Sequence, residues 1–135
     1  HLLFTYLRMS ASMKNKPTVL IVEDDTTLNE AYKTILTMAE YNVCTAFNGE
    51  EALVVAEQNK PDIILLDLRM PVMDGIEFLK TYKPKKLHPD VQVVVFSNYD
   101  MQTEVDKAYN LGADRYILKA RATPNELLKL VKDLS

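Results

Sequence analysis

The chain predicts an α/β fold, a parallel sheet covered by helices on both faces. Three observations carry that expectation. Short apolar runs rich in β-branched residues alternate with helical patterns, five times over, along the chain. Two runs, Thr18-Val19-Leu20-Ile21-Val22 and Ile63-Ile64-Leu65-Leu66, are continuously apolar rather than alternating, as strands buried on both faces are. Both end at carboxylates, Glu23-Asp24-Asp25 and Asp67, and open α/β sheets collect their chemistry at the carboxyl edge of the strands.

Each element has its own signal. After the first strand, Asp25 or Thr26 can cap a helix carrying Leu28, Ala31, Tyr32, Ile35 and Ala39 at helical spacing. Asn42 to Phe47 reads as a short strand containing Cys44. Asn48-Gly49-Glu50-Glu51 resembles a capping box, and Ala52, Val55 and Ala56 supply the buried face of the second helix. The Asp67 strand follows, then turn signals at Pro71 and Asp74-Gly75, then a third helix from about Asp74 to Tyr82. Lys83, Lys85 and Lys86, broken by Pro84 and followed by His88 and Pro89, read as a solvated polar loop. Val91 to Phe96 is the fourth strand and ends at Ser97-Asn98. A fourth helix runs from near Met101 to Leu111 and stops at Gly112. Tyr116-Ile117-Leu118 is the fifth strand and ends at Lys119. Thr123-Pro124-Asn125-Glu126 starts the last helix, with Pro at its first position and Glu at its third, and Leu127, Leu128, Val131 and Leu134 give its apolar face. Five βα units with right-handed crossovers leave few topologies, and the flavodoxin-like strand order 2-1-3-4-5 with five helices suits this count.

Composition narrows the class. The 135 residues suit one domain with a real core, and 47% hydrophobic with 26% charged residues is ordinary for a globular protein. A net charge of -3 gives no reason to expect direct nucleic-acid binding through a basic surface. The single cysteine, Cys44, excludes an internal disulfide and favours a reducing cytoplasm, and no Cys/His spacing suggests zinc. No apolar run reaches the ~20 residues of a membrane span. His1 to Met13 is unlike the rest and lacks the shape of a secretory signal. It is expected to be a disordered or non-native N-terminal extension, with the domain proper at 14–135.

In a 2-1-3-4-5 sheet the strand ends bring Glu23, Asp24, Asp67, Ser97 and Lys119 to one edge. Crowded carboxylates repel unless a cation joins them, and hard oxygen ligands suit Mg²⁺. An anion there meets metal, ammonium and hydroxyl together, as a transferring phosphoryl group does. Asp67 is then the candidate nucleophile for an aspartyl-phosphate. Taken singly, Lys119 could merely neutralise an acidic edge and Ser97 could cap a helix.

From about Lys14 to Ser135 the chain resembles a response-regulator receiver domain of two-component signalling. The resemblance rests on Val19-Leu20-Ile21-Val22-Glu23-Asp24-Asp25, on Asp67-Leu68-Arg69-Met70-Pro71-Val72-Met73-Asp74-Gly75, on Ser97, and on Gly112-Ala113-Asp114-Arg115-Tyr116-Ile117-Leu118-Lys119. It implies that Asp67 accepts phosphate from a histidine kinase or histidine phosphotransfer protein. It implies that Glu23, Asp24, Asp67 and the Arg69 backbone carbonyl hold Mg²⁺, and that Ser97 and Lys119 bind the phosphoryl group. Ser97 and Tyr116 match the family's switch pair, which alters the face made by the fourth helix, fifth strand and fifth helix to regulate a downstream protein or an output domain. A cytoplasmic monomer or weak dimer is expected, either a stand-alone receiver or a piece of a longer chain.

Two departures matter. The residue after Lys119 is usually proline in this family and is Ala120 here, and the resemblance leads us to expect a cis Lys119–Ala120 bond. Arg69 and Tyr99 fall where receivers vary and phosphate lifetime is tuned. Three other functions compete. An Asp-nucleophile phosphatase of haloacid-dehalogenase type wants a second Asp where Arg69 stands. A flavodoxin-like nucleotide binder needs a phosphate loop where Glu23-Asp24-Asp25 would repel one. A degenerate receiver that only binds partners has no need of the intact acidic set and Lys119.

Overall fold

All five positions of the central strand β3, Ile63–Asp67, are buried, so neither face of the sheet is open to solvent at its middle. The computed structural model describes residues 16–98 and 101–135. The expectation for residues 1–13, and the remark on Tyr99, lie outside the described residues. Along the chain stand β1 (Thr18–Val22), α1 (Thr26–Met38), β2 (Asn42–Ala46), α2 (Gly49–Asn59), β3, α3 (Gly75–Tyr82), β4 (Gln92–Ser97), α4 (Gln102–Asn110), β5 (Arg115–Leu118) and α5 (Pro124–Leu134). The sheet is parallel throughout, in the order β2-β1-β3-β4-β5. The expected architecture is therefore present.

Alternation along the strands divides the core into two layers. Val19, Ile21, Ile63, Leu65, Val94 and Phe96 face Tyr32 and Leu36 of α1 and Leu127 and Val131 of α5. Leu20, Val22, Ile64, Leu66, Val93 and Val95 face Ala52 and Ala56 of α2, Phe78 and Leu79 of α3, and Ala108 of α4. Each fully buried aliphatic side chain of this kind contributes about 1.5–3 kcal/mol. β2 lies at the sheet edge and is only half-buried over most of its length.

Side chains cap four helices at their N-termini, each accepting from a backbone N–H. Asp25 takes Leu28, Asn48 takes Glu51, Asp74 takes Glu77 and Thr123 takes Glu126. Gly75 is required by close approach, since a Cβ there would lie 2.6 Å from the Asp67 carbonyl oxygen. Gly112 ends α4 at φ +111°, as a residue without a Cβ can.

Two expectations need correction. The segment after α3 is not a loop: Pro84–Leu87 forms a single helical turn with Pro84 buried. Proline is preset for a first helical position, and His88 then stacks on Tyr82 at 4.1 Å, which fixes the exit of the turn. The Lys119–Ala120 peptide is trans and belongs to a short 3₁₀ turn, Lys119–Arg121. A cis bond costs about 2.5–4 kcal/mol without proline, and Lys119 reaches its partners without one. Among the described residues no helix is long and apolar enough to cross a membrane.

Candidate functional site

Sheet register brings the expected residues to one edge. Val22 pairs with Leu66, Asp67 with Phe96, and Ser97 with Leu118, so the residues that end or follow β1, β3, β4 and β5 stand side by side. Lys119 Nζ lies 2.6 Å from Glu23 Oε1 and 3.1 Å from Asp67 Oδ2. Glu23, Asp24 and Asp67 each place one carboxylate oxygen within 4.8 Å of the others. Glu23, Asp67 and Ser97 are buried while Asp24 is exposed, so the cluster is walled by protein and opens on the Asp24 side.

Its electrostatics follow from that enclosure. Burial, reinforced by the neighbouring Asp67 carboxyl, pushes the Glu23 pKa up to about 8 despite Lys119. For Lys119 burial works downward, but the two carboxylates outweigh it and its pKa is raised. Glu23 Oε2 is a buried oxygen with no hydrogen-bond donor among the described residues. Buried polar atoms are rarely left so. A hard, oxygen-seeking cation with room for waters fits such a set, and Mg²⁺ has that chemistry.

The loop after β3 is tied back to the site. The Arg69 N–H donates to Asp67 Oδ1 at 3.4 Å, and its guanidinium pairs with Glu104 of α4 at 3.2 Å. Tyr116 is half-buried, pairs with Val95 and packs against the α2–α3–α4 layer. Strand alternation directs Ser97, two residues beyond Val95, to that same face.

Sequence reasoning missed two polar residues that support the site. Asn29, almost fully buried, donates to the carbonyls of Glu23 at 2.9 Å and Ala46 at 3.3 Å, holding the acidic loop against β2. The Tyr32 hydroxyl donates to the Ala122 carbonyl. For Asn29 the available signal was its place on the apolar stripe of α1 with Tyr32 and Leu36, where a buried Asn must have partners.

Comparisons with known proteins agree with this geometry. Residues 19–132 match the family model of the response regulator receiver domain. The chain is 38% identical over 120 residues to the Escherichia coli nitrate/nitrite response regulator protein NarL, covering 87% of this chain and 54% of NarL. It thus spans about half the length of the curated relatives it matches. A CheY-like receiver domain protein from Methanospirillum hungatei superposes with TM-score 0.78 at 32% identity, covering 87% of this chain and 91% of that one. Vibrio cholerae chemotaxis protein CheY4 does so with TM-score 0.79 at 28% identity, covering 88% and 98%. Sheet order, the acidic strand ends with their lysine, and the match over residues 19–132 lead to one conclusion: the chain belongs to the response regulator receiver domain family of two-component systems.

Proposed function

We propose that this domain is a phosphorylation-controlled switch whose phosphoacceptor is Asp67, with a histidine kinase or histidine phosphotransfer protein as donor. The observation that carries the reading is a carboxylate only 2% exposed at the end of the central strand, with an ammonium 3.1 Å away and two further carboxylates beside it. An Asp67 oxygen attacks phosphorus, the phosphorus–nitrogen bond of the donor histidine breaks, and the imidazole leaves with its electron pair. Lys119 holds a phosphoryl oxygen by charge, and the Ser97 hydroxyl donates to another. Glu23, Asp24, Asp67 and the Arg69 carbonyl are the residues that would hold Mg²⁺. The ion supplies positive charge against the carboxylates and phosphoryl oxygens.

The output follows from charge. A phosphoryl group adds nearly two negative charges and strong acceptor oxygens. Ser97 moves toward it, Tyr116 turns into the space behind, and the α4–β5–α5 face changes for a downstream protein or an output domain. On this reading the domain is a cytoplasmic signalling component that assists only its own phosphorylation and dephosphorylation. The absence of an Asp at position 69 argues against the phosphatase alternative.

Incubation with acetyl phosphate and Mg²⁺ should attach one acid-stable, base-labile phosphoryl group, read by intact mass. Equal labelling of Asp67→Asn would overturn the assignment.

A further inference from the structure

Tyr32 points inward from α1 and has no exposed surface. A tyrosine hydroxyl removed from water needs a partner, and this one donates to the Ala122 carbonyl at 2.6 Å, across 90 positions of sequence. Ala122 closes the 3₁₀ turn that begins with Lys119, its own N–H donating to the Lys119 carbonyl at 3.0 Å. The Tyr32 ring also meets the Phe96 ring edge-on at 5.7 Å. Phe96 pairs with Asp67 in the sheet and lies 6.0 Å from Lys119 Nζ. One side chain therefore touches both the turn that carries the lysine and the ring beneath its ammonium.

Beyond the Lys119 ion pairs with Glu23 and Asp67, that turn has few other restraints. None of its three residues is buried, and no side chain caps it. Ala120 leaves φ free where a proline ring would lock it. A segment with so little apolar packing is ordinarily among the first to loosen. The tie from the Tyr32 hydroxyl acts where the turn rejoins the core at Ala122, which is itself buried.

We infer that Tyr32 is a positioning residue: its hydroxyl, through the Ala122 carbonyl, holds the Lys119 turn so that the ammonium stays directed at an anion bound on Asp67. The inference rests on the phosphoacceptor reading of Asp67. It separates two groups of site residues. Glu23 and Asp24 directly follow β1 and Asp67 ends β3, so their backbone placement does not rest on the tie, whereas that of Lys119 does.

The test is Tyr32→Phe, which keeps the ring and its contact with Phe96 while removing the donor. Beryllofluoride affinity at saturating Mg²⁺ and the rate of labelling by acetyl phosphate should each fall about five-fold, the size expected from one lost hydrogen bond. Affinity for Mg²⁺ alone should stay as in the parent chain. Tyr41→Phe serves as control, because it removes a hydroxyl that meets Ser135 Oγ at the other end of α5, and it should change none of the three. Beryllofluoride affinity of Tyr32→Phe within two-fold of the parent would overturn the inference. So would an equal loss of Mg²⁺ affinity, which would mean general loosening of the site. A parent chain that takes no phosphoryl group would instead overturn the reading of Asp67 on which the inference stands.

Discussion

Glu23 is a carboxyl group with no exposed surface, 2.6 Å from an ammonium and beside a second carboxyl. Its pKa rises from an ordinary 4.5 to about 8, first because burial disfavours the charge. The folded chain therefore binds this proton more tightly than the unfolded chain does. Its stabilising contribution is complete below about pH 4.5 and is lost as pH rises through about 8. In the absence of divalent cations, the chain should lose stability relative to Glu23→Gln between those limits, measured by urea unfolding of both proteins at several pH values. Parallel stability curves would show that the buried charge carries no penalty. Added Mg²⁺ should flatten the difference, because the ion binds the ionised form. Neither the burial nor the pKa shift was legible in the letters Glu23-Asp24-Asp25, although Asp25 already stood as a candidate cap of the first helix. Folding separates Glu23, which is buried, from Asp24, which faces solvent, and of the two candidate caps it is Asp25 that caps α1.

At the scale of elements, α4 is the least firmly held of the five long helices. Its only buried residue is Ala108, and its N-cap, Met101, makes no side-chain cap bond. The Arg69–Glu104 pair joins it to the loop after β3, but Arg69 is 60% exposed, and such a pair contributes about 0–1 kcal/mol. An element held this lightly is the one that a small change at the site can shift. Beryllofluoride with Mg²⁺ should therefore move the amide signals of α4 and Tyr116 more than those of α1, and Ser97→Ala should reduce that contrast. Unmoved α4 and Tyr116 signals at full occupancy would end the switch reading. A second expectation concerns α2, which ends at Lys60 with φ 48°, a left-handed conformation that a side chain resists. Lys60→Gly should raise stability by about 0.5 kcal/mol, the relief of that strain less the greater freedom of glycine in the unfolded chain. The pair it removes, Lys60–Glu57, is exposed on both sides. A lower melting temperature for Lys60→Gly would contradict the strain argument.

For the molecule as a whole, a metal ion bound at the acidic edge would couple to folding. A cation that binds the folded chain alone stabilises it by about 2.7 kcal/mol at a hundred times its dissociation constant. Melting temperature should accordingly rise with millimolar Mg²⁺, and Asp24→Ala should remove most of the gain. Indifference to Mg²⁺ in the parent chain would count against the metal site.

The sequence by itself determined the layers, the strand order and the list of residues at the carboxyl edge. It could do so because continuous apolar runs, helix caps and strand-end polar residues are local signals, and few right-handed topologies accommodate five βα units. It did not determine the helical turn at Pro84–Leu87, where proline and lysines read as solvated loop until His88 stacked on Tyr82. Nor did it determine the trans bond after Lys119, which an analogy with proline-bearing relatives predicted otherwise. The tie from Tyr32 to Ala122 was likewise invisible, since a tyrosine on an apolar stripe looks like any other core residue. The Tyr32 tie depends on groups that meet across 90 positions of chain, while the stack of His88 on Tyr82 joins near neighbours in sequence. Hydrogen-bond partners and burial are properties of the packed molecule, so only the tertiary structure decided them.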